Sequence, residues 1–195
     1  MKWTIVAGIS TLLLIWHLSQ EQPIHASNTD TTWKFLQQEK SGAVVLIRHA
    51  EAPGTGDPPN FRLNDCSTQR NLSAGGRSQA ITIGQVFRRR NIRVTRVLSS
   101  QWCRCLDTAR LLNLAPVEPF SPLNSFFQNP SAEQRQTRAL RNFLIEQQKT
   151  QGVTILVTHQ VNITALTNIF PQQGEMIVLQ PLPNNPTKLV GRIRI

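Results

Sequence analysis

The segment Ala43-Val44-Val45-Leu46-Ile47 is a continuous apolar run, rich in β-branched residues, that stops abruptly at Arg48-His49. That is the pattern of a strand buried on both faces. Val94 to Ser100 predicts a second strand, and Gly152 to Thr158 a third that ends at His159. Between these runs the apolar spacing becomes helical. Thr32 to Lys40 predicts a short leading helix, and Ala80, Ile83 and Phe87 share one face of a helix N-capped by Ser73 and ending near Asn91. Gln101 to Leu112 and Gln160 to Ile169 predict two more helices. Ser131 to Lys149 predicts an amphipathic one, with Leu140, Phe143 and Leu144 on its apolar side. Val117 to Phe120, Glu175 to Gln180 and Lys188 to Ile195 read as further extended pieces. Pro53 to Asn71 holds Gly54, Gly56, Pro58 and Pro59 without periodicity, so it reads as a long loop. Strands alternating with helices at this spacing imply an α/β fold, a three-layer sandwich with a mostly parallel central sheet covered by helices on both faces.

The N-terminal residues follow a different pattern. Met1-Lys2-Trp3 leads into an apolar run from Thr4 to Trp16, the order of an export signal, with cleavage expected after Ala26. The run is short for a membrane span of about 20 residues, which favours a cleaved signal over an uncleaved anchor. The expected organisation is therefore a signal over 1–26, a linker and leading helix over 27–40, and one domain over 41–195. The expected location is periplasmic or secreted.

With 195 residues and a net charge of +10, the chain is long enough for one sizeable core and is strongly basic. Lys2 and Glu21 cancel within residues 1–26, so the mature domain keeps the whole excess. Such a charge attracts polyanions, including nucleic acid, anionic lipid headgroups and phosphorylated small molecules, and does not choose among them. The densest run, Arg88-Arg89-Arg90, closes a predicted helix, where cations suit the negative end of the dipole. Cys66, Cys103 and Cys105 permit one disulfide in an oxidising compartment, from Cys66 to either Cys103 or Cys105. Three thiols without an adjacent histidine do not supply a zinc site, and no metal or cofactor is expected.

In open α/β sheets ligands bind beyond the carboxyl ends of the strands, so the residues that terminate the apolar runs come first. They are Arg48-His49, Ser99-Ser100 with Arg104 just beyond, and Thr158-His159. His17 and His25 fall in the signal, leaving His49 and His159 as the histidines of the domain, both at strand ends. Two arginines, one histidine and helix N-terminal amides can neutralise a transferring phosphoryl group while the second histidine attacks phosphorus in line.

These residues resemble the histidine phosphatase superfamily, also called phosphoglycerate-mutase-like, in an exported bacterial-type branch. The resemblance rests on Leu46-Ile47-Arg48-His49-Ala50-Glu51, on Asn71-Leu72-Ser73 to Gly76, on Ser99 to Ala109 around Arg104, and on Val157-Thr158-His159. It implies His49 as a nucleophile that becomes phosphorylated, Arg48 and Arg104 as phosphate clamps, and His159 as a further phosphate ligand. His49 must be unprotonated at its reacting nitrogen while the other is held, usually by a backbone carbonyl. Glu51, Thr68, Gln69 and Arg70 are the candidate substrate contacts, and the loop from Asp57 to Arg70 is expected to shape the substrate side. Gly54-Thr55-Gly56 lacks the spacing and lysine of a P-loop.

The match fails at the proton donor. Many members carry a glutamate in a Leu-Asn-Glu type segment, where this chain has Leu123-Asn124-Ser125, and another branch has an aspartate where this chain has Gln160. The general acid is unassigned, with Glu51, Asp65 and Asp107 as candidates. Without an acid, good leaving groups such as phosphohistidine, acyl phosphate or pyrophosphate would be favoured, and a carboxylate restored at Ser125 would speed simple monoesters. The expected activity is hydrolysis of phosphate esters or phosphoanhydrides on phosphorylated small molecules or envelope sugars, with peripheral membrane association in keeping with the charge and the oligomeric state open. The rival is a phosphoanion-binding protein with little or no catalysis. A nucleic-acid-binding domain is disfavoured by sparse aromatics and the absence of a motif, and a mutase by the altered acid segment.

Overall fold

A computed structural model describes residues 29–38 and 42–195. The signal read over residues 1–26 lies outside the described residues. A first helix, α1 (Thr29–Gln37), precedes β1 (Ala43–Arg48), and the long loop carries a single 3₁₀ turn at Cys66–Thr68. Then follow α2 (Ala74–Arg89), β2 (Val94–Ser99), α3 (Cys103–Leu112), β3 (Val117–Pro119), α4 (Glu133–Gln147), β4 (Val153–Thr158), α5 (Gln160–Thr167), β5 (Met176–Leu179) and β6 (Leu189–Ile193). Ser73 caps α2 by accepting from the Gly76 amide, as its position predicts. Helix α3 starts at Cys103 rather than Gln101, because Trp102 is extended at its N-cap.

The strands form one six-stranded sheet in the order β3-β2-β4-β1-β5-β6. The pairs β2·β3, β2·β4 and β1·β4 are parallel, whereas β1·β5 and β5·β6 are antiparallel. The sheet is therefore mixed, which corrects the mostly parallel expectation. Helix α5 ends at Asn168, which adopts a left-handed conformation at its C-cap. The chain then returns past the C-terminal end of β1, where the Gly174 amide donates to the carbonyls of Arg48 and His49. A strand that begins there can extend along β1 only in the opposite direction, and Met176 pairs with Ile47 while Leu179 pairs with Val44.

Alternation along the buried strands divides the apolar residues between two clusters. Val45, Ile47, Val97, Ile155 and Val157 pack with residues of α1, α2 and α3, including Trp33, Phe87 and Leu112. Val44, Leu46, Leu98 and Leu156 pack with Leu140 and Leu144 of α4 and Ile163 of α5. Helices α2 and α3 meet at Gly84, where an added Cβ would lie 2.0 Å from the Leu112 carbonyl oxygen. Only glycine permits that approach.

The register of β1 on β4 builds the site. Arg48 pairs with Thr158, so the next residues, His49 and His159, leave adjacent parallel strands side by side. The His49 amide donates to the Thr158 carbonyl at 2.9 Å, and the Ser100 amide beyond β2 donates to the Val157 carbonyl at 2.9 Å.

Candidate active site

The two imidazoles, both buried, stand with ring centroids 5.6 Å apart. His49 Nδ1 lies 2.8 Å from the carbonyl oxygen of Ala50. That acceptor requires the hydrogen on Nδ1 and leaves the Nε2 lone pair free, the tautomer that nucleophilic attack needs. Ala50 is in turn held by its amide, which donates to Thr108 Oγ1, while Thr108 donates to the Arg104 carbonyl. His159 Nε2 lies 2.8 Å from Ser100 Oγ, and Arg104 Nη2 lies 3.5 Å from His159 Nδ1. Ser100 also reaches Asn124 Oδ1, which receives the Gln101 amide. The Leu123-Asn124 pair thus braces β2 and β4 at this edge, with Thr158 Oγ1 donating to the Leu123 carbonyl.

Arg48, His49, Arg70, Arg104 and His159 line one cavity, together with Asp57, Ser125, Phe127, Gln128 and Gln160. Arg48 is anchored by donating to the Pro171 carbonyl at 2.9 Å, and Arg70 by donating to the carbonyls of Gly56 and Ala52. The Nε atoms of Arg48 and Arg104 are buried without a hydrogen-bond partner. Three guanidinium groups facing one carboxylate leave two positive charges in excess, which suits a dianion. Burial and the Arg104 charge lower the pKa of both Arg48 and Arg70.

Burial first, and then Arg104, lower the His49 pKa to about 3, while burial and the Arg104 charge hold His159 well below the ordinary histidine value. Both rings are neutral at physiological pH. Between about pH 6.5 and 3 the unfolded chain binds protons that the folded one refuses, so stability is lost as pH falls through that window. His49 contributes a slope of up to roughly 1.4 kcal/mol per pH unit there, and His159 adds to it in the same direction. Denaturant midpoints measured from pH 7 to 4 are expected to fall accordingly, and a variant carrying His49→Asn and His159→Asn to fall less. A flat wild-type profile would contradict two neutral buried imidazoles.

The remaining sequence candidates separate clearly. Arg70 lines the cavity, whereas Thr68 and Gln69 are buried behind it. Thr68 Oγ1 donates to the Asp65 carbonyl, and Gln69 bridges the loop to α3 by donating to the Arg62 and Leu63 carbonyls and accepting from the Cys103 amide. Glu51 accepts from the Ser73 hydroxyl at 2.6 Å beside the start of α2 and does not line the cavity. Of the other candidate acids, Asp65 caps its own 3₁₀ turn and pairs with Arg62 at the surface. Asp107 pairs with Arg77 and Arg110.

Asp57 was not among the acid candidates, yet its carboxylate sits on Arg104. Oδ1 is 2.7 Å from Nη1 and Oδ2 is 3.1 Å from Nη2, with both side chains 3% exposed. Asp57 also accepts from the Arg70 amide and from Trp102 Nε1. The one available signal was its place as the first residue of the loop expected to shape the pocket. Trp102, stacked on Phe61 at 5.0 Å, forms the wall behind it.

Cys66 and Cys103 form a disulfide, which selects one of the two pairings the sequence allowed. It ties the loop to the first residue of α3, immediately before Arg104. Cys105 is a buried free thiol whose pKa burial pushes up to about 12, so it is not a nucleophile near neutral pH.

Residues 44–126 match the family model described as histidine phosphatase superfamily (branch 1). No curated protein sequence matches the chain. Among solved structures, the fold is similar to the protein from an open reading frame of Mycobacterium tuberculosis, with 15% identity and a TM-score of 0.59 over 76% of this chain and 95% of that one. It is similar to the protein histidine phosphatase SixA complexed with tungstate, with 12% identity and a TM-score of 0.56 over 77% and 96%. It is also similar to a phosphoserine phosphatase variant from Entamoeba histolytica in complex with phosphoserine, with 14% identity and a TM-score of 0.56 over 77% and 95%. At these identities the structural likeness speaks for the fold.

Proposed function

We propose that this chain is a phosphoric-ester hydrolase of the histidine phosphatase superfamily that releases phosphate through a phosphohistidine intermediate on His49. The observation that carries this reading is His49 itself, neutral, with Nδ1 committed to the Ala50 carbonyl and Nε2 facing a cavity that also receives Arg48, Arg70 and Arg104. In the first step Nε2 attacks phosphorus, the P–O bond to the leaving group breaks, and the leaving oxygen takes up a proton. Arg48, Arg104 and His159 bind the phosphoryl oxygens and carry charge that develops on them. In the second step water attacks the phosphohistidine, giving inorganic phosphate and returning His49 to its neutral form.

The substrate class is a phosphate monoester or phosphoanhydride on a small molecule, and phosphorylated sugars of a cell envelope suit the export signal and the basic surface. The working location under this reading is periplasmic or secreted, in keeping with a stable disulfide in an oxidising compartment. Peripheral association with an anionic membrane would follow from the same charge.

Mass spectrometry after rapid, acid-free quenching of the mature domain with 4-nitrophenyl phosphate tests the mechanism. The expected result is one added phosphoryl group on the peptide containing His49, lost on acid treatment, with phosphate released. No adduct and no release across a broad panel of phosphate esters would favour a binding protein of the same fold.

A further inference from the structure

In the phosphohistidine mechanism the leaving oxygen needs a proton, and Ser125 and Gln160 stand where carboxylates would supply it. Ser125 and Gln160 do line the cavity, but a hydroxyl and an amide are poor acids. Asp57 is the one carboxylate, among the described residues, that lines it. Its chain approaches the cavity through Gly54 and Gly56, both at positive φ (91° and 69°), a conformation that side chains other than glycine rarely adopt.

We propose that Asp57 is the proton donor to the leaving oxygen, freed for that task when the substrate phosphoryl group takes its place on Arg104. The assignment rests on the phosphohistidine mechanism proposed for His49. In the free protein Asp57 occupies the two outer guanidinium nitrogens of Arg104, which a phosphoryl group would bind in the same bidentate manner. A bound dianion therefore displaces the carboxylate outward, toward the mouth of the cavity, where the leaving group must lie if His49 attacks from the strand side.

The electrostatics change sign with that displacement. In the free protein burial opposes ionisation of Asp57, but the hydrogen bonds and charge of Arg104, with the Arg70 amide and Trp102, outweigh it and hold the carboxyl below the usual range. With the phosphoryl group on Arg104, Asp57 loses that cation and faces a dianion instead, so protonation becomes favourable. The other charged groups facing it, Arg48 and Arg70, are shared with the phosphoryl oxygens, and His49 and His159 are neutral.

In the step itself the P–O bond to the leaving group breaks, the N–P bond to His49 forms, and the Asp57 proton passes to the departing oxygen. The resulting carboxylate takes a proton from the attacking water in the second step, which restores the donor. Simple monoesters with poor leaving groups then fall within the substrate range, which is not confined to anhydrides.

The test is Asp57→Asn, assayed with an alkyl phosphate and with 4-nitrophenyl phosphate, whose leaving group needs no proton. The expected result is a loss of kcat/KM of about a hundredfold or more for the alkyl ester and of less than about tenfold for the aryl ester. Because the comparison lies between two substrates of one variant, the folded fraction cancels. Equal losses on both substrates, as expected if Asp57 merely positions Arg104, or no loss on either, would overturn the proton-donor assignment alone. Absence of phosphohistidine in the wild type would overturn the assignment together with the mechanism it rests on.

Discussion

His49→Ala is expected to lower kcat for phosphate release by about ten-thousand-fold or more, while binding of inorganic phosphate changes by only a few-fold. The asymmetry follows from the division of labour in the cavity. The cations that attract the dianion are on Arg48, Arg70 and Arg104, and each is anchored to groups other than His49: the Pro171 carbonyl, the Ala52 and Gly56 carbonyls, and the Asp57 carboxylate. The neutral imidazole contributes little charge to binding but supplies an unprotonated nitrogen, Nε2, to the cavity. Added imidazole is expected to restore part of the rate by entering the space left in the variant. Residual activity above about a tenth of wild type would place the nucleophile elsewhere, and loss of phosphate binding in parallel with rate would mean that the variant had collapsed the site.

Removing the disulfide with Cys66→Ser and Cys103→Ser together is expected to lower Tm by roughly 10 °C. The bridge closes a loop with a sequence separation of 37 residues. In the chain-entropy treatment a loop of that length destabilises the unfolded state by about 4 kcal/mol, and for a domain of this size each kcal/mol moves Tm by about 2–4 °C. A functional loss should accompany it, because the bridge joins the loop that carries Asp57 and Arg70 to the first turn of α3, which carries Arg104. The remaining ties are non-covalent, among them the Asp57–Arg104 ion pair, the bond from Trp102 Nε1 to Asp57 and that from the Cys103 amide to Gln69 Oε1. Thermal denaturation with and without reductant, beside the double variant, measures the effect. A Tm unchanged in both would show that packing of the loop, and not the covalent link, fixes it.

These two residue sets differ in how far they could be read from the chain. His49 and Arg48 were legible because an apolar run long enough to be a buried strand ends in them, and an open α/β sheet presents strand ends to ligand. His159 was legible for the same reason, and Arg104 by its distance from the end of β2. The structure brings these four residues to one cavity. The candidate contacts on the loop fared differently. Gly, Pro and polar residues without a period give no face and no direction, so Arg70 could not be told from Thr68 and Gln69, which brace the loop from within, or from Glu51, which bonds to Ser73.

The pattern of apolar runs by itself determined which segments are strands and helices, that β1 is buried on both faces, and which residues stand at the strand ends. Local side-chain periodicity and turn chemistry carry that information, since each depends on neighbours a few residues away. Strand direction at one edge of the sheet was decided only by the tertiary structure, because β5 starts beside the end of β1 through the Gly174 bonds to Arg48 and His49. The same holds for the choice of Cys103 as the partner of Cys66, and for the pairing of Asp57 with Arg104 across 47 positions of sequence. Each of these depends on where a nonperiodic segment comes to rest against a distant element. That is fixed by a few long-range hydrogen bonds and ion pairs, which leave no repeating trace along the chain.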